Sequence, residues 1–559
     1  MARGWRRSTP PPTRAPIAEA RSPSPHRNVA CKGAVRRRHH RKEEGVMRRM
    51  GGAAMMLTLT ACAATPPAPD LAAIYSRAAA VDSQQRRPVV TIPGTLGSRL
   101  VDRDSGAVIW GGDTALSLDP DDPAAMRLIA LPFGPPETPL RALRDGVRTD
   151  GVVRTANASL FGATVSLDIY SGIIETLIAG GYDFRETRAA EISDRTVNLD
   201  AFEFPYDWRR DIVEAAQDLA YFIERKRVQV AQERLRVFGR LTEPVRFDLV
   251  AHSMGALVAR YYLMYGAQDL PADGGLPPLT WEGAQNVETV VFIAPPNAGA
   301  IGAFDLLVNG KSFGPFQPRY PAALLGAHVA PYQLMPRTRH RRVRGADGGA
   351  PLDLYDIETW RRNGWGLAGP DADPVLAALA PEIDDPEARR ALGLAHLAKA
   401  LQRAEQFHRA MDRAARYPET LDVYLVVGGG FSTPAGAIVD GDGSARIAEH
   451  EEGDGVVLRA SSLLDERQGR PEDYRLRLDS PISGERSVLL LPFEHVELTS
   501  SPVFGDNLLF WLLEGERAAD ALNAPRGRDT GVAATLGRAV RGVATLLPGG
   551  GGAKARAAN

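Results

Sequence analysis

The sequence predicts an α/β protein: a mainly parallel sheet with helices on both faces. Three observations carry that expectation. Short apolar runs with buried-strand character recur along the chain, and amphipathic helical patterns separate them. One passage, Phe247-Asp248-Leu249-Val250-Ala251-His252-Ser253-Met254-Gly255-Ala256-Leu257-Val258, reads as a strand, a tight turn of small residues around one serine, and a helix.

The strand candidates are residues 88–92, 199–205, 245–250, 287–294, 421–427 and 487–491. Between them, Ile212, Ala215, Ala216, Leu219, Phe222 and Ile223 mark one face of a helix over about 211–235. Shorter helices are expected over 169–179 and 503–513, and no internal repeat is visible. Two intervals break the alternation. Residues 106–160 are rich in Pro, Asp and Gly, and residues 300–418 mix Pro/Gly-rich loops with a helical stretch at 386–412. Inserts of this kind between sheet elements build a cap over a site. The folded domain is expected to span 86–515.

With 559 residues, the chain has room for one large domain with insertions, and 44% hydrophobic with 24% charged residues is ordinary globular composition. The formal charge of −1 conceals an asymmetry. Residues 1–49 hold 14 Lys/Arg against 3 Asp/Glu, which leaves 53 basic and 65 acidic groups in the remainder. So acidic a body offers no nucleic-acid surface, and no nucleic-acid partner is expected. The basic run from Arg36 to Lys42 could be read as a nucleic-acid arm, but it is low-complexity sequence without interleaved aromatics.

A stronger pattern begins at Met47. Arg48-Arg49 precedes a small apolar run ending in Leu59-Thr60-Ala61-Cys62, and a Pro-containing exit follows. This is the three-part shape of a secretory signal. Its end resembles the lipobox of bacterial lipoproteins, in which the cysteine is lipidated and becomes the new amino terminus. The expectation is a signal peptide over 47–61, a lipid anchor at Cys62 that holds the protein to a membrane of the bacterial envelope, and a linker over 62–85. Residues 1–46 are expected to be a basic extension or an over-long start. Residues 516–559 are expected to be a flexible tail, with a weak amphipathic helix over 531–547. Cys31 and Cys62 are the only cysteines and both precede the body, so neither a disulfide framework nor a thiolate metal site is expected there. No stretch after residue 62 is long and apolar enough to cross a bilayer.

A serine becomes nucleophilic when a base takes its proton and an acid orients that base. Downstream lie Gly453-Asp454-Gly455-Val456-Val457 and, just past another strand candidate, Leu491-Pro492-Phe493-Glu494-His495-Val496. The order Ser253, Asp454, His495 is that of the α/β hydrolases, so the class sharpens to an α/β-hydrolase fold with cap insertions. Gly-Asp-Gly is also turn chemistry, and Asp442 in Gly441-Asp442-Gly443 is a rival acid. His252 adjoins Ser253, but neighbours in such an elbow point apart. His328, His340, His396, His408 and His450 lie in cap-like or loop sequence. Acyl transfer needs donors for the oxyanion. The candidates are the amides of Met254, directly after the nucleophile, and Thr95, in the glycine-containing loop after the first strand.

Several separated blocks complete the pattern. They are Pro88 to Leu100, Val108-Ile109-Trp110, Pro205-Tyr206-Asp207-Trp208-Arg209, Ala251 to Gly255, Ala294 to Gly299, Gly453 to Val457, and His495. In this order, over roughly 86–515, the chain resembles the lecithin:cholesterol acyltransferase family, which includes lysosomal phospholipase A2 and the phospholipid:diacylglycerol acyltransferases. The resemblance implies Ser253 as nucleophile, Asp454 and His495 as its relay, Thr95 and Met254 as oxyanion donors, and Trp110 near the acyl or leaving-group site. It implies no metal or organic cofactor.

Taken by itself, Pro205 to Arg209 lies between a strand and a long helix, with Asp207 or Asp211 near the helix start, and reads as a brace for the sheet end. Val456 stands where the family has Thr, the helical insert at 386–412 has no evident counterpart, and the disulfides of the animal members are impossible here. The expected activity is transfer of an acyl group from a phospholipid-like ester through Ser253 to an alcohol. With water as acceptor, the same chemistry is that of a lipase or phospholipase. A non-catalytic lipid-binding envelope lipoprotein would be expected to lack a member of the triad, and none is missing.

Overall fold

The computed structural model describes residues 69–515 apart from 81–85, 113–117, 161–162, 169, 185–199, 242–243, 313–317, 349 and 467–478. Residues 1–46, the signal segment 47–61, Cys62 and the tail with its 531–547 helix lie outside the described residues.

The six strand candidates are the six strands of the central sheet: β1 (Val89–Ile92), β2 (Ala201–Glu203), β3 (Phe247–His252), β4 (Val287–Ile293), β5 (Asp422–Gly428) and β6 (Ser487–Leu491). Their order is β6-β5-β4-β3-β1-β2, and every pairing is parallel. The fold is that of an α/β hydrolase, as the sequence predicts. Helices cover both faces, so alternate strand residues enter two different cores. Val90, Ile92, Leu249 and Ala251 pack with α2 (Ile212–Phe238) and α3 (Met254–Tyr265). Val89, Val250, Val291 and Val426 pack instead with α1 (Ser171–Ala179) and α5 (Pro502–Leu509). Each fully buried aliphatic side chain contributes about 1.5–3 kcal/mol, which is why β-branched residues fill these strands.

The helix ends follow local chemistry. Asp211 caps α2 by accepting from the Val213 amide at 2.9 Å, and Gly239, at φ 70°, closes it in the left-handed region. Chain order reverses at β1, which lies between β2 and β3. Ligand crevices of open α/β sheets form at such a switch, beyond the strand carboxyl ends. Ile92 pairs with Ala251 there, so the loop after β1 and the turn after β3 emerge side by side.

The two irregular intervals have more order than the sequence suggests. Val108–Trp110 and Val147–Val152 pair with Ser98–Asp102 in a small sheet. Met126 and Ile129 share one core with Phe304, Leu324, Trp360, Trp365 and Leu397, so both insertions bury their apolar faces against each other. The helical stretch is α4 (Pro386–Met411). Between β5 and β6, Phe431–Val439 and Ala445–Gly453 form a hairpin that the sequence does not announce. Its tip docks on the insertions, where the Trp365 indole donates to the Gly443 carbonyl at 2.7 Å. Within the expected linker, Leu71–Ile74 and Ser76–Ala79 are short helices. Tyr75 between them is buried, and its hydroxyl donates to the Asp506 carbonyl at 2.8 Å, so this part of the chain is packed on the domain.

Candidate active site

Ser253 stands at the turn from β3 into α3 with φ 54° and ψ −125°, a backbone conformation sparsely populated by non-glycine residues. Its amide is anchored by the Ile293 carbonyl at 2.8 Å. A methyl group at Gly255 would lie 2.3 Å from the Pro93 carbonyl oxygen, and one at Gly94 would lie 2.7 Å from the Ser253 Cβ. Both glycines therefore let the loop after β1 press against the serine turn.

The sequence-predicted acid and base meet there. His495 Nε2 lies 2.9 Å from Ser253 Oγ, and His495 Nδ1 lies 2.8 Å from Asp454 Oδ2. Asp454 sits at the base of the hairpin. Its Oδ1 accepts the Val456 and Val457 amides at 3.0 and 2.7 Å. Burial pushes the Asp454 pKa up. The hydrogen bond and charge of His495, with the two amides, outweigh burial and hold it below the usual carboxylate value. An ionised Asp454 accepts from Nδ1–H, which leaves the Nε2 lone pair facing the serine hydroxyl. The rival Asp442 occupies the hairpin turn, where Oδ1 accepts from the Ser444 amide at 3.0 Å and it takes no part in the site.

His252 points away from Ser253, as expected for neighbours in an elbow. Its Nδ1 lies 2.9 Å from the Tyr170 hydroxyl and its Nε2 3.0 Å from the His495 carbonyl. Burial, and secondarily the charge of His495, depress its pKa to about 3, so the ring is neutral.

The loop after β1 is fixed at several points. Tyr206 Oη donates to the Pro93 carbonyl at 2.8 Å, and the Gly94 amide donates to Tyr170 Oη at 2.7 Å. Trp110 Nε1 donates to the Leu96 carbonyl at 2.7 Å, and Trp208 Nε1 donates to the Ser98 carbonyl at 3.2 Å. Thr95 itself is exposed, with Oγ1 at 3.5 Å from Met254 Sδ. Among the described residues, neither the Thr95 nor the Met254 amide donates to a protein acceptor. Two free N–H groups thus adjoin the serine, the second at a helix N-terminus.

From Thr95 an apolar pocket runs under the insertions. Leu96, Leu100, Ile109, Trp110, Trp208 and Leu334 help to line it, and the Trp110 and Trp208 rings meet edge-on at 5.4 Å. Val456, two residues after Asp454, and Val496, next after His495, are 51% and 38% exposed.

Arg209 supplies the brace read from its block. It is 1% exposed, its fork grips Asp207 at 2.7–2.9 Å and Asp145 at 2.6 Å, and Nη1 donates to the Leu128 carbonyl at 2.8 Å. Its own carbonyl accepts the Val329 amide at 2.8 Å, so one residue ties both insertions to the end of β2. Tyr170 and the distant partners of Arg209, Asp145 and Leu128, carry no sequence signal, because only the fold brings them together.

Residues 175–340 match the family model for lecithin:cholesterol acyltransferase. That segment contains the Pro205 to Arg209 block, the serine elbow and Ala294 to Gly299, and it ends before Asp454 and His495. Among solved structures, a chain from the crystal structure of the Tle4–Tli4 complex is similar over 78% of this chain and 99% of its own length, with a TM-score of 0.51 at 15% identity. No match is found among curated proteins.

Proposed function

We propose that this protein is a serine-dependent acyltransferase that takes a fatty acyl group from a phospholipid-like ester and passes it to an alcohol. The unbroken chain from Asp454 through His495 to Ser253, at 2.8 and 2.9 Å, carries this reading. His495 Nε2 takes the Ser253 proton as Oγ attacks the ester carbonyl. The resulting oxyanion receives the Thr95 and Met254 amides. His495 then gives its proton to the leaving alkoxide, and an acyl-Ser253 remains. An acceptor hydroxyl, deprotonated by His495, attacks the acyl carbon and restores the serine. The apolar pocket beside Trp110 suits the acyl chain or leaving group, and exposed Val456 and Val496 suit approach to a lipid surface.

The partial exposure of Ser253 and the exposure of Thr95 favour a second reading, in which water is the acceptor and the enzyme is a phospholipase or lipase. Incubation with labelled phosphatidylcholine, with and without a long-chain alcohol, separates the two. New ester formed with the alcohol supports transfer, while free fatty acid alone in both supports hydrolysis. Full esterase activity in Ser253→Ala would remove both readings, and a wild-type protein that turns over no ester would leave a lipid-binding envelope protein. Attachment to an envelope membrane through a lipidated Cys62 is part of the proposal, and its test is membrane fractionation of Cys62→Ala, expected to turn soluble.

A further inference from the structure

The Tyr170 and His252 side chains are buried in the domain, touch neither Ser253 Oγ nor the substrate pocket, and still join the two halves of the site. The proton positions along their contacts are forced. The His495 carbonyl can only accept, so His252 Nε2 carries hydrogen and donates across 3.0 Å. Neutral His252 then has a bare Nδ1, which accepts from the Tyr170 hydroxyl at 2.9 Å. With its hydrogen committed, Tyr170 Oη accepts the Gly94 amide at 2.7 Å. Burial, and after it the charge of His495, keep the His252 ring neutral, which agrees with a single ring proton on Nε2. At the far end, the His495 amide donates to the Asp454 carbonyl at 3.0 Å, so the backbone of the base is held on both sides.

We infer that Tyr170 and His252 are positioning residues that set the oxyanion loop and the His495 backbone in one fixed relation across the serine. Tyr170 holds the Pro93–Gly94 peptide, one residue before the Thr95 amide, and His252 holds the peptide after His495. Displacing either end by a fraction of an ångström misplaces the Thr95 donor or the Nε2 acceptor when the tetrahedral intermediate forms. Substrate contacts would be untouched. The inference rests on the proposed acyl-enzyme reading.

The test uses the purified full chain and a soluble short-chain ester. Expected for Tyr170→Phe is a fall in kcat of about 10- to 100-fold, with KM within twofold and the pH at which activity is half-maximal unchanged. His252→Leu should fall at least as far. His252→Gln, which restores a donor near the Nε2 position, should recover part of that loss, which a purely space-filling role would not allow. Urea unfolding of each variant separates misplacement from loss of fold. Activity of Tyr170→Phe within twofold of wild type, or His252→Gln no better than His252→Leu while both remain folded, would overturn the inference. Failure of the underlying reading looks different: a fluorophosphonate probe would then not label wild-type Ser253 at all.

Discussion

A methyl group placed on Gly428 would lie 2.5 Å from the Cβ of Asp454. The last residue of β5 is therefore bare so that the hairpin can return its acid to the sheet end. Gly428→Ala should shift Asp454 off His495 and lower kcat by about 100-fold with little change in KM. Steady-state kinetics on a short ester test this. Overpacking should cost about 1–3 kcal/mol of stability, read from the urea midpoint.

Arg209 holds two carboxylates and both insertions. Arg209→Met deprives Asp145 and Asp207 of the guanidinium that bridges them, and loss of a buried pair costs about 3–5 kcal/mol. Arg209→Lys keeps the charge without the fork and should cost less. Thermal unfolding with limited proteolysis checks the order wild type, Lys, Met, and early cleavage is expected within 106–160 and 300–418.

Stability should fall on mild acidification. Burial is the largest cause lowering the pKa of His252 to about 3 and of His328 and His396 to about 4. The folded protein keeps these rings neutral, whereas the unfolded chain protonates them near pH 6.5. Their contribution is thus complete above that pH and is lost as pH drops from about 6.5 toward 4 and 3. Between pH 7.5 and 5.5 each ring should cost about 1.4 kcal/mol, or roughly 4 kcal/mol for the three. Urea midpoints at the two pH values measure it, and His396→Gln should flatten the difference by one ring's share. Asp454, shifted below the usual carboxylate value, behaves in the opposite range: its contribution persists until pH falls below that value.

Val456 and Val496 flank the triad with apolar surface exposed. If they enter a lipid surface, Val456→Ser or Val496→Ser should weaken turnover of phosphatidylcholine vesicles by up to about 10-fold, from the apolar area withdrawn. Turnover of a soluble short-chain ester should stay within twofold. Equal losses on both substrates would place the valines in the chemistry instead.

The central sheet was legible because buried parallel strands are apolar on both faces, which marks them as runs even in isolation. Ser253, Asp454 and His495 were legible as a set because they occur in the order Ser, Asp, His, with small residues around the serine and the acid and a strand candidate just before the histidine. The hairpin was not. Pro434 and Gly436 interrupt one strand, and the other carries Glu449, Glu451 and Glu452, which pair with Arg344, Arg342 and Arg459. A strand solvated and charge-paired in this way lacks the apolar signature. Tyr170 and Asp145 were invisible for a different reason. Their partners His252 and Arg209 are 82 and 64 residues away, and a single hydrogen bond leaves no periodic trace.

The hairpin carries Asp454 at its base and meets Trp365 of the insertions at its tip. The nine-residue strand Ala445–Gly453 separates the two ends, about 30 Å of extended chain. Mechanically it is a strut between roof and hearth. Were the insertions to swing clear of the sheet like a hinged flap, the strut would be dragged with them and the acid drawn off its histidine. The geometry therefore suits a roof that stays in place while lipid enters at the eaves, and an enzyme that would disarm itself if the roof were lifted.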